Sequence, residues 1–346
     1  MSFKTIDQSS FTAEFNRKKK TAINYGIKYL DNATGGIRSN DLIIIGGRTG
    51  CGKTELASHI ALHNVLYNKK VHYFALEAEE DEIYNRLLYK IIKQLYYEQE
   101  GKEPILYRDW LSGKYDLLLR TQTKQAMNLI RQKYSNLFVF YRTTDTFNLS
   151  DLQCLVYEIK DDTDLIIIDH LHYIQVDTDK ELAEMKKLVM GIRDLALLFG
   201  KPIILIAHLR KKSFQDKTLV PDVEEFHGSS DITKIATQVI TLASNGSESN
   251  FEFKTLFKVC KCRVDGSATR YIGQQIFNIK QNDYEDVFKV GKSEDCYKDF
   301  TPITVERDLP LWGKEAKTYV PTKSLFNRFT KDYTDTSERD KDAFLL

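Results

Sequence analysis

The chain has 346 residues, 42% hydrophobic and 29% charged, enough to bury one large core with a smaller appendage. Its 50 lysines and arginines nearly balance 49 aspartates and glutamates, so no overall positive field marks a nucleic-acid binder; any such binding must come from local loops. Five scattered cysteines (Cys51, Cys154, Cys260, Cys262 and Cys296) form no CxxC pair, no apolar leader opens the chain, and no window reaches membrane-spanning length. These features point to a reducing, cytoplasmic setting.

Residues 1–24 are polar, end near the basic run Arg17 to Lys20, and read as an arm or linker. From Tyr25 to about residue 290, apolar β-type runs alternate with helical patterns. The runs are Leu42 to Ile45, Val71 to Leu76, Leu137 to Tyr141, Leu165 to Ile168, Ile203 to Ala207 and Val239 to Leu242. That rhythm predicts an α/β fold with a mostly parallel twisted sheet and helices on both faces. Residues 81–136 form a longer helical stretch, with Tyr84, Leu87, Leu88, Ile91, Ile92 and Leu95 at core-packing spacing. Phe251 to Cys262 and Tyr271 to Ile279 flank the turn signal Val264 to Ala268, predicting an antiparallel pair at one edge. Residues 291–346 contain Pro302, Pro310 and Pro321, end in Phe344, Leu345 and Leu346, and read as a tail that can serve a partner or simply fray.

One motif stands out from this frame. Gly47, Arg48, Thr49, Gly50, Cys51, Gly52, Lys53 and Thr54 fit the GxxxxGK[ST] phosphate loop, after a buried strand and before a helix. Glycines let backbone N–H groups curl round an anion, the helix N-terminus adds its dipole, and Lys53 supplies a point charge. Thr54 can place its hydroxyl on Mg2+. Asp169 ends an apolar strand, as a Walker B aspartate does, and would complete the metal shell. Glu77, at the end of another strand, is a candidate to polarise the attacking water; on spacing alone it is equally a solvated glutamate like Glu79 or Glu80. His208 ends a further strand, where a γ-phosphate contact and a structural histidine are both open readings. His59 and His63 lie four apart without a third ligand and read as packing. Cys260 and Cys262, alternate residues of one strand, are expected to point the same way without forming a zinc site.

The order GxxxxGKT, Leu76-Glu77, Ile168-Asp169, His208, then Lys261-Cys262-Arg263 resembles the RecA-like motor domain of hexameric replicative DNA helicases of helicase superfamily 4. The likeness is to the DnaB type, and within it to the helicase half of phage primase-helicases and Twinkle. Asp169-His170-Leu171, Ala207-His208-Leu209 and the basic pair favour that branch. The resemblance covers about residues 22–282 and implies ATP or another NTP with Mg2+ as cofactors, DNA unwinding by translocation on single-stranded DNA, and a homo-oligomer, a hexameric ring. It implies roles position by position: Lys53, Glu77 and Asp169 in hydrolysis, His208 as γ-phosphate sensor, and Arg263 with Lys261 acting on the neighbouring subunit's nucleotide. Arg210, Lys211, Lys212 and Lys217 would grip DNA phosphates, although a solvated basic loop has the same composition. With no stretch assigned to priming, a separate primase or polymerase is the expected partner, in a bacterial or phage-infected cell. The alternative is a RecA-like ATPase that acts as a nucleotide-switched assembly or loading factor for a protein partner.

Overall fold

The computed structural model describes residues 23–101, 105–114, 116–143, 146–209, 219–226, 229–247, 252–278 and 283–293. In chain order these form α1 (Lys28–Thr34), β1 (Leu42–Gly47), α2 (Lys53–Leu66), β2 (Val71–Ala75), α3 (Glu82–Glu100), α4 (Tyr107–Leu111), α5 (Leu117–Lys133) and β3 (Leu137–Tyr141). There follow α6 (Leu149–Ile159), β4 (Leu165–Asp169), α7 (Glu181–Phe199), β5 (Ile203–His208), α8 (Ser229–Ile235), β6 (Gln238–Ser247), β7 (Glu252–Cys262), β8 (Tyr271–Asn278) and β9 (Asp283–Lys292).

The strands make one sheet in the order β3-β2-β4-β5-β1-β6-β7-β8-β9. From β3 to β6 neighbours run parallel, as the alternating βα rhythm predicts; from β6 to β9 they run antiparallel. The antiparallel part is therefore larger than the expected pair. β9 was not legible because the run from Asp283 to Lys292 is polar and interrupted, and the turn before β8 is a short 3-10 helix, Gly266–Arg270, rather than a tight hairpin.

Central strands buried on both faces read as continuous apolar runs, and their side chains alternate between two cores. Ile43, Ile45, Tyr73, Ile167, Ile204 and Ile206 pack under α1 and α2, with α3 and α5 extending that layer. Leu42, Ile44, Phe74, Ile166, Ile168 and Leu205 pack against α6, α7 and α8. The helical stretch 81–136 is thus α3, α4 and α5, and its apolar residues do pack: Leu87, Leu88, Ile91 and Ile92 are buried. His59 is likewise structural, lying 3.1 Å from the Gly26 carbonyl and edge-on to Tyr284.

One side-chain expectation fails. Cys260 and Cys262 do not share a face: Cys260 packs with the α6–α8 core and Cys262 with the opposite one. The register explains it, since Val239 pairs with Lys261 while Ile240 pairs with Val259, leaving Cys260 as the extra residue of a β-bulge. A one-residue insertion reverses the alternation beyond it. Among the described residues no helix is long and apolar enough to cross a membrane.

Candidate nucleotide site

The C-terminal ends of β1, β2, β4 and β5 lie side by side, and a parallel sheet presents its ligands at that edge. The phosphate loop leaves β1 at Gly47 and enters α2 at Lys53. Gly50 and Gly52 take φ of 79° and 90°, a left-handed backbone that side chains resist, so glycine is required for the curl. Lys53 Nζ, nearly buried, donates to the Arg48 carbonyl at 3.0 Å, reaching back across its own loop.

Asp169 is buried at the end of β4. Its Oδ2 accepts from the Tyr73 hydroxyl at 2.7 Å, and Thr54 also donates to the carboxylate. Oδ1 has no hydrogen-bond partner among the described residues. Burial pushes the Asp169 carboxyl up despite those donors, and burial pushes the Lys53 amine down. Two opposite charges held away from water at one edge suit a polyanion and a hard cation: Thr54 and the unpartnered Asp169 oxygen are the oxygen donors Mg2+ prefers.

Glu77 follows β2 and is fixed to β4 through its backbone, for Leu76 N–H and Glu77 N–H both donate to the Asp169 carbonyl, at 2.8 and 3.3 Å. Arg142, just beyond β3, donates to the Leu76 carbonyl at 2.6 Å and lies over the Tyr173 ring. The Glu77 side chain remains half exposed and stands 3.1 Å from His170 Nε2. His208 ends β5 with its ring perpendicular to His170 at 4.2 Å. Burial lowers both imidazoles, His170 to about 3, so both are neutral near pH 7. Lys53, Thr54, Glu77, Asp169 and His208 therefore meet at one edge, together with His170, Tyr73 and Arg142, which sequence reasoning did not assign to the site. His170 had a signal, its place directly after Asp169; Tyr73 and Arg142 had none.

Arg263 and Lys261 lie elsewhere. Cys262 pairs with Gln238 and Gln238 with Ile43, near the start of β1, whereas the loop leaves β1 at Gly47. Four residues of strand span on the order of 13 Å, so this basic pair does not face its own chain's loop. Arg263 is exposed, and its N–H donates to the Thr237 carbonyl, while the Thr237 hydroxyl bonds Leu42. Thr237 thereby ties Arg263 to the foot of β1. Lys261 Nζ donates to the Thr233 and Lys234 carbonyls at the end of α8, a helix C-cap. The proposed DNA contacts Arg210, Lys211, Lys212 and Lys217 fall outside the described residues, but their flanks do not: Leu209 and Phe226 pair as an antiparallel bridge beside the site.

The family model of the DnaB-like helicase C-terminal domain matches residues 22–266. The chain belongs to this family. Relatives include a probable replicative DNA helicase of Trieres chinensis, 25% identical over 224 residues, which are 63% of this chain and 46% of that protein. The replicative DNA helicase DnaB of Buchnera aphidicola subsp. Baizongia pistaciae is 26% identical over 208 residues, 58% of this chain and 42% of its own. The chain thus spans less than half the length of these DnaB-type relatives. The fold matches that of a solved ATPase domain with a TM-score of 0.67 at 16% identity, over 83% of this chain and all of that one. It also matches a DnaB-like replicative helicase described with its interactions with primase, with a TM-score of 0.65 at 16% identity over 82% of this chain and 67% of the other. These likenesses establish a RecA-like DnaB domain.

Proposed function

We propose that this DnaB-like domain is an NTP-driven DNA helicase motor that assembles as a hexameric ring and moves along single-stranded DNA. The observation that carries the reading is the meeting of Lys53, Asp169, Glu77 and His208 at one sheet edge, with Arg263 exposed at the other end of the sheet. A single chain offers a phosphate cradle and, on a separate surface, an arginine suited to a neighbour's cradle.

On nucleotide binding Lys53 exchanges the Arg48 carbonyl for phosphate oxygens. Thr54 and Asp169 would hold Mg2+, which neutralises charge on the phosphates when bound. Glu77 orients a water molecule and takes its proton as the oxygen attacks the γ-phosphorus and the bridging P–O bond breaks. His208 contacts the γ-phosphate from the end of β5, and Leu209 beside it leads to the proposed DNA contacts Arg210, Lys211, Lys212 and Lys217. Arg263 of an adjacent subunit supplies charge to the transferring phosphoryl group, a contribution of about a thousandfold or more for such fingers. Cytosolic replication, with priming or synthesis by separate proteins, is the setting that fits.

The test is the steady-state ATPase rate with and without single-stranded DNA across protein concentration. A steep concentration dependence with strong DNA stimulation is expected, and neutralising Arg210, Lys211 and Lys212 together should remove the stimulation. A rate per subunit indifferent to both would refute the motor and favour a protein-directed switch.

A further inference from the structure

His170 is more enclosed than its neighbours Asp169 and Lys53, with 2% of its surface exposed against 4% and 6%. Its Nδ1 accepts the main-chain N–H of His172 at 3.3 Å. A neutral imidazole that accepts at one nitrogen carries its proton on the other, so Nε2 is the donor. Nε2 lies 3.1 Å from Glu77 Oε2, a hydrogen-bond length without alignment, and it has no other partner among the described residues. Such bonds often align only when the reacting complex forms. The His170 ring itself has little freedom, being flanked by His208 at 4.2 Å, Tyr173 at 4.9 Å and His172 at 5.5 Å. Glu77, by contrast, has 47% of its side chain exposed and only a backbone anchor on the other side.

We propose that His170 is a positioning residue: its Nε2–H holds the Glu77 carboxylate in the orientation that receives the proton of the attacking water. The inference rests on the ATPase reading above and adds a residue to it. A flexible glutamate samples many directions, and orienting the base is where rate is gained, because hydrolysis tolerates little misplacement of the reacting groups. Glu77, His170 and His208 also place one ligand atom each within 4.8 Å of one another, a spacing that a transition metal accepts. Metal binding through His170 Nε2, however, requires that nitrogen's lone pair and a proton on Nδ1, where the His172 N–H already points. The geometry selects the donor over the ligand.

The pair His170→Gln and His170→Met tests it in the full chain with Mg2+, ATP and saturating single-stranded DNA, because the two side chains have similar shape and only glutamine donates. His170→Met should lower kcat by about 10- to 100-fold with KM for ATP changed less than about threefold, the signature of a lost transition-state interaction. His170→Gln should recover kcat to within about fivefold of wild type. Equal loss in both variants, or a loss carried by KM, would make His170 a packing residue and overturn the inference; so would no loss in either. Tight Zn2+ binding by the wild type that His170→Gln abolishes would also overturn it. A wild type that binds nucleotide but does not hydrolyse it refutes the ATPase reading itself, whereas a hydrolysing wild type with two indistinguishable variants refutes this inference alone.

Discussion

Arg48, inside the phosphate loop, pairs at 2.7 Å with Glu225, and Glu225 stands one residue before Phe226, which bridges to Leu209, the residue before the proposed DNA contacts. Both side chains are mostly shielded, so the pair is less screened than a surface bridge. It joins the residues that would hold phosphate to those that flank the proposed DNA contacts. Glu225→Gln should leave DNA-free hydrolysis within about twofold but reduce its stimulation by single-stranded DNA at least about fivefold, the range of an ordinary coupling energy. Titrating DNA into an ATPase assay of both proteins measures this, and an unchanged stimulation ratio would show that the pair is structural only.

Gly46 makes the same junction steric. A Cβ built there would stand 2.5 Å from Phe226 Cε1 and 3.0 Å from Leu209 Cδ2, so the aromatic ring occupies the space that any other residue would need. Gly46→Ala must displace Phe226 or shift β1, and overpacking of this kind costs about 1–3 kcal/mol. The expected result is a Tm lowered by roughly 2–8 °C, together with weakened DNA binding. A variant as stable as wild type would mean that Phe226 moves freely and that its bridge to Leu209 is weak.

Much of this was legible because parallel strands buried on both faces write themselves as apolar runs, and because each run ends in the residue that the site uses: Gly47, Glu77, Asp169, His208. What stayed hidden depends on chain segments meeting from afar. Glu225 and Arg48 are 177 residues apart, and no spacing links them. Arg142 reaches the Leu76 carbonyl over 66 residues. The bulge at Cys260 is a register event, invisible to a rule of alternation, and it overturned the expectation that Cys260 and Cys262 point the same way. Lys261 was readable as a basic residue beside Arg263, but its engagement with the end of α8 depends on where that helix stops.

Asp31 gives a pH dependence with a defined sign. Its carboxylate accepts the Tyr25 and Gly26 N–H groups, yet burial dominates and raises the group from 3.8 to about 7. The folded state therefore binds more protons than the unfolded one between about pH 4 and 7, and Asp31 removes stability as pH climbs through that window. His170 acts in the opposite sense, its lowering from 6.5 to about 3 adding stability as pH rises between those values. The two overlap, so the difference between wild type and Asp31→Asn isolates the first. Urea unfolding from pH 5 to 8 should show the wild type losing ground relative to the variant as pH rises; parallel curves would place Asp31 in contact with solvent.

Arg263 and Lys261 separate two roles that the resemblance had joined. Arg263 is exposed and lies away from its own loop, whereas Lys261 is drawn onto the α8 carbonyls, with burial and the nearby Arg263 and Arg193 lowering its amine. On the proposed ring, Arg263→Ala should abolish most hydrolysis while leaving thermal stability and nucleotide binding near wild type, because an exposed arginine supports neither the core nor its own chain's loop. Lys261→Ala should instead lower stability by about 0.5–1 kcal/mol through the lost helix cap, with hydrolysis falling less. Mixing decides the trans assignment. When Arg263→Ala protein is titrated into Lys53→Ala protein, each inactive alone, hydrolysis should reappear wherever an intact loop meets a neighbour's intact Arg263. Mixtures that stay silent, while each variant still enters wild-type assemblies, would show that Arg263 serves its own chain or none.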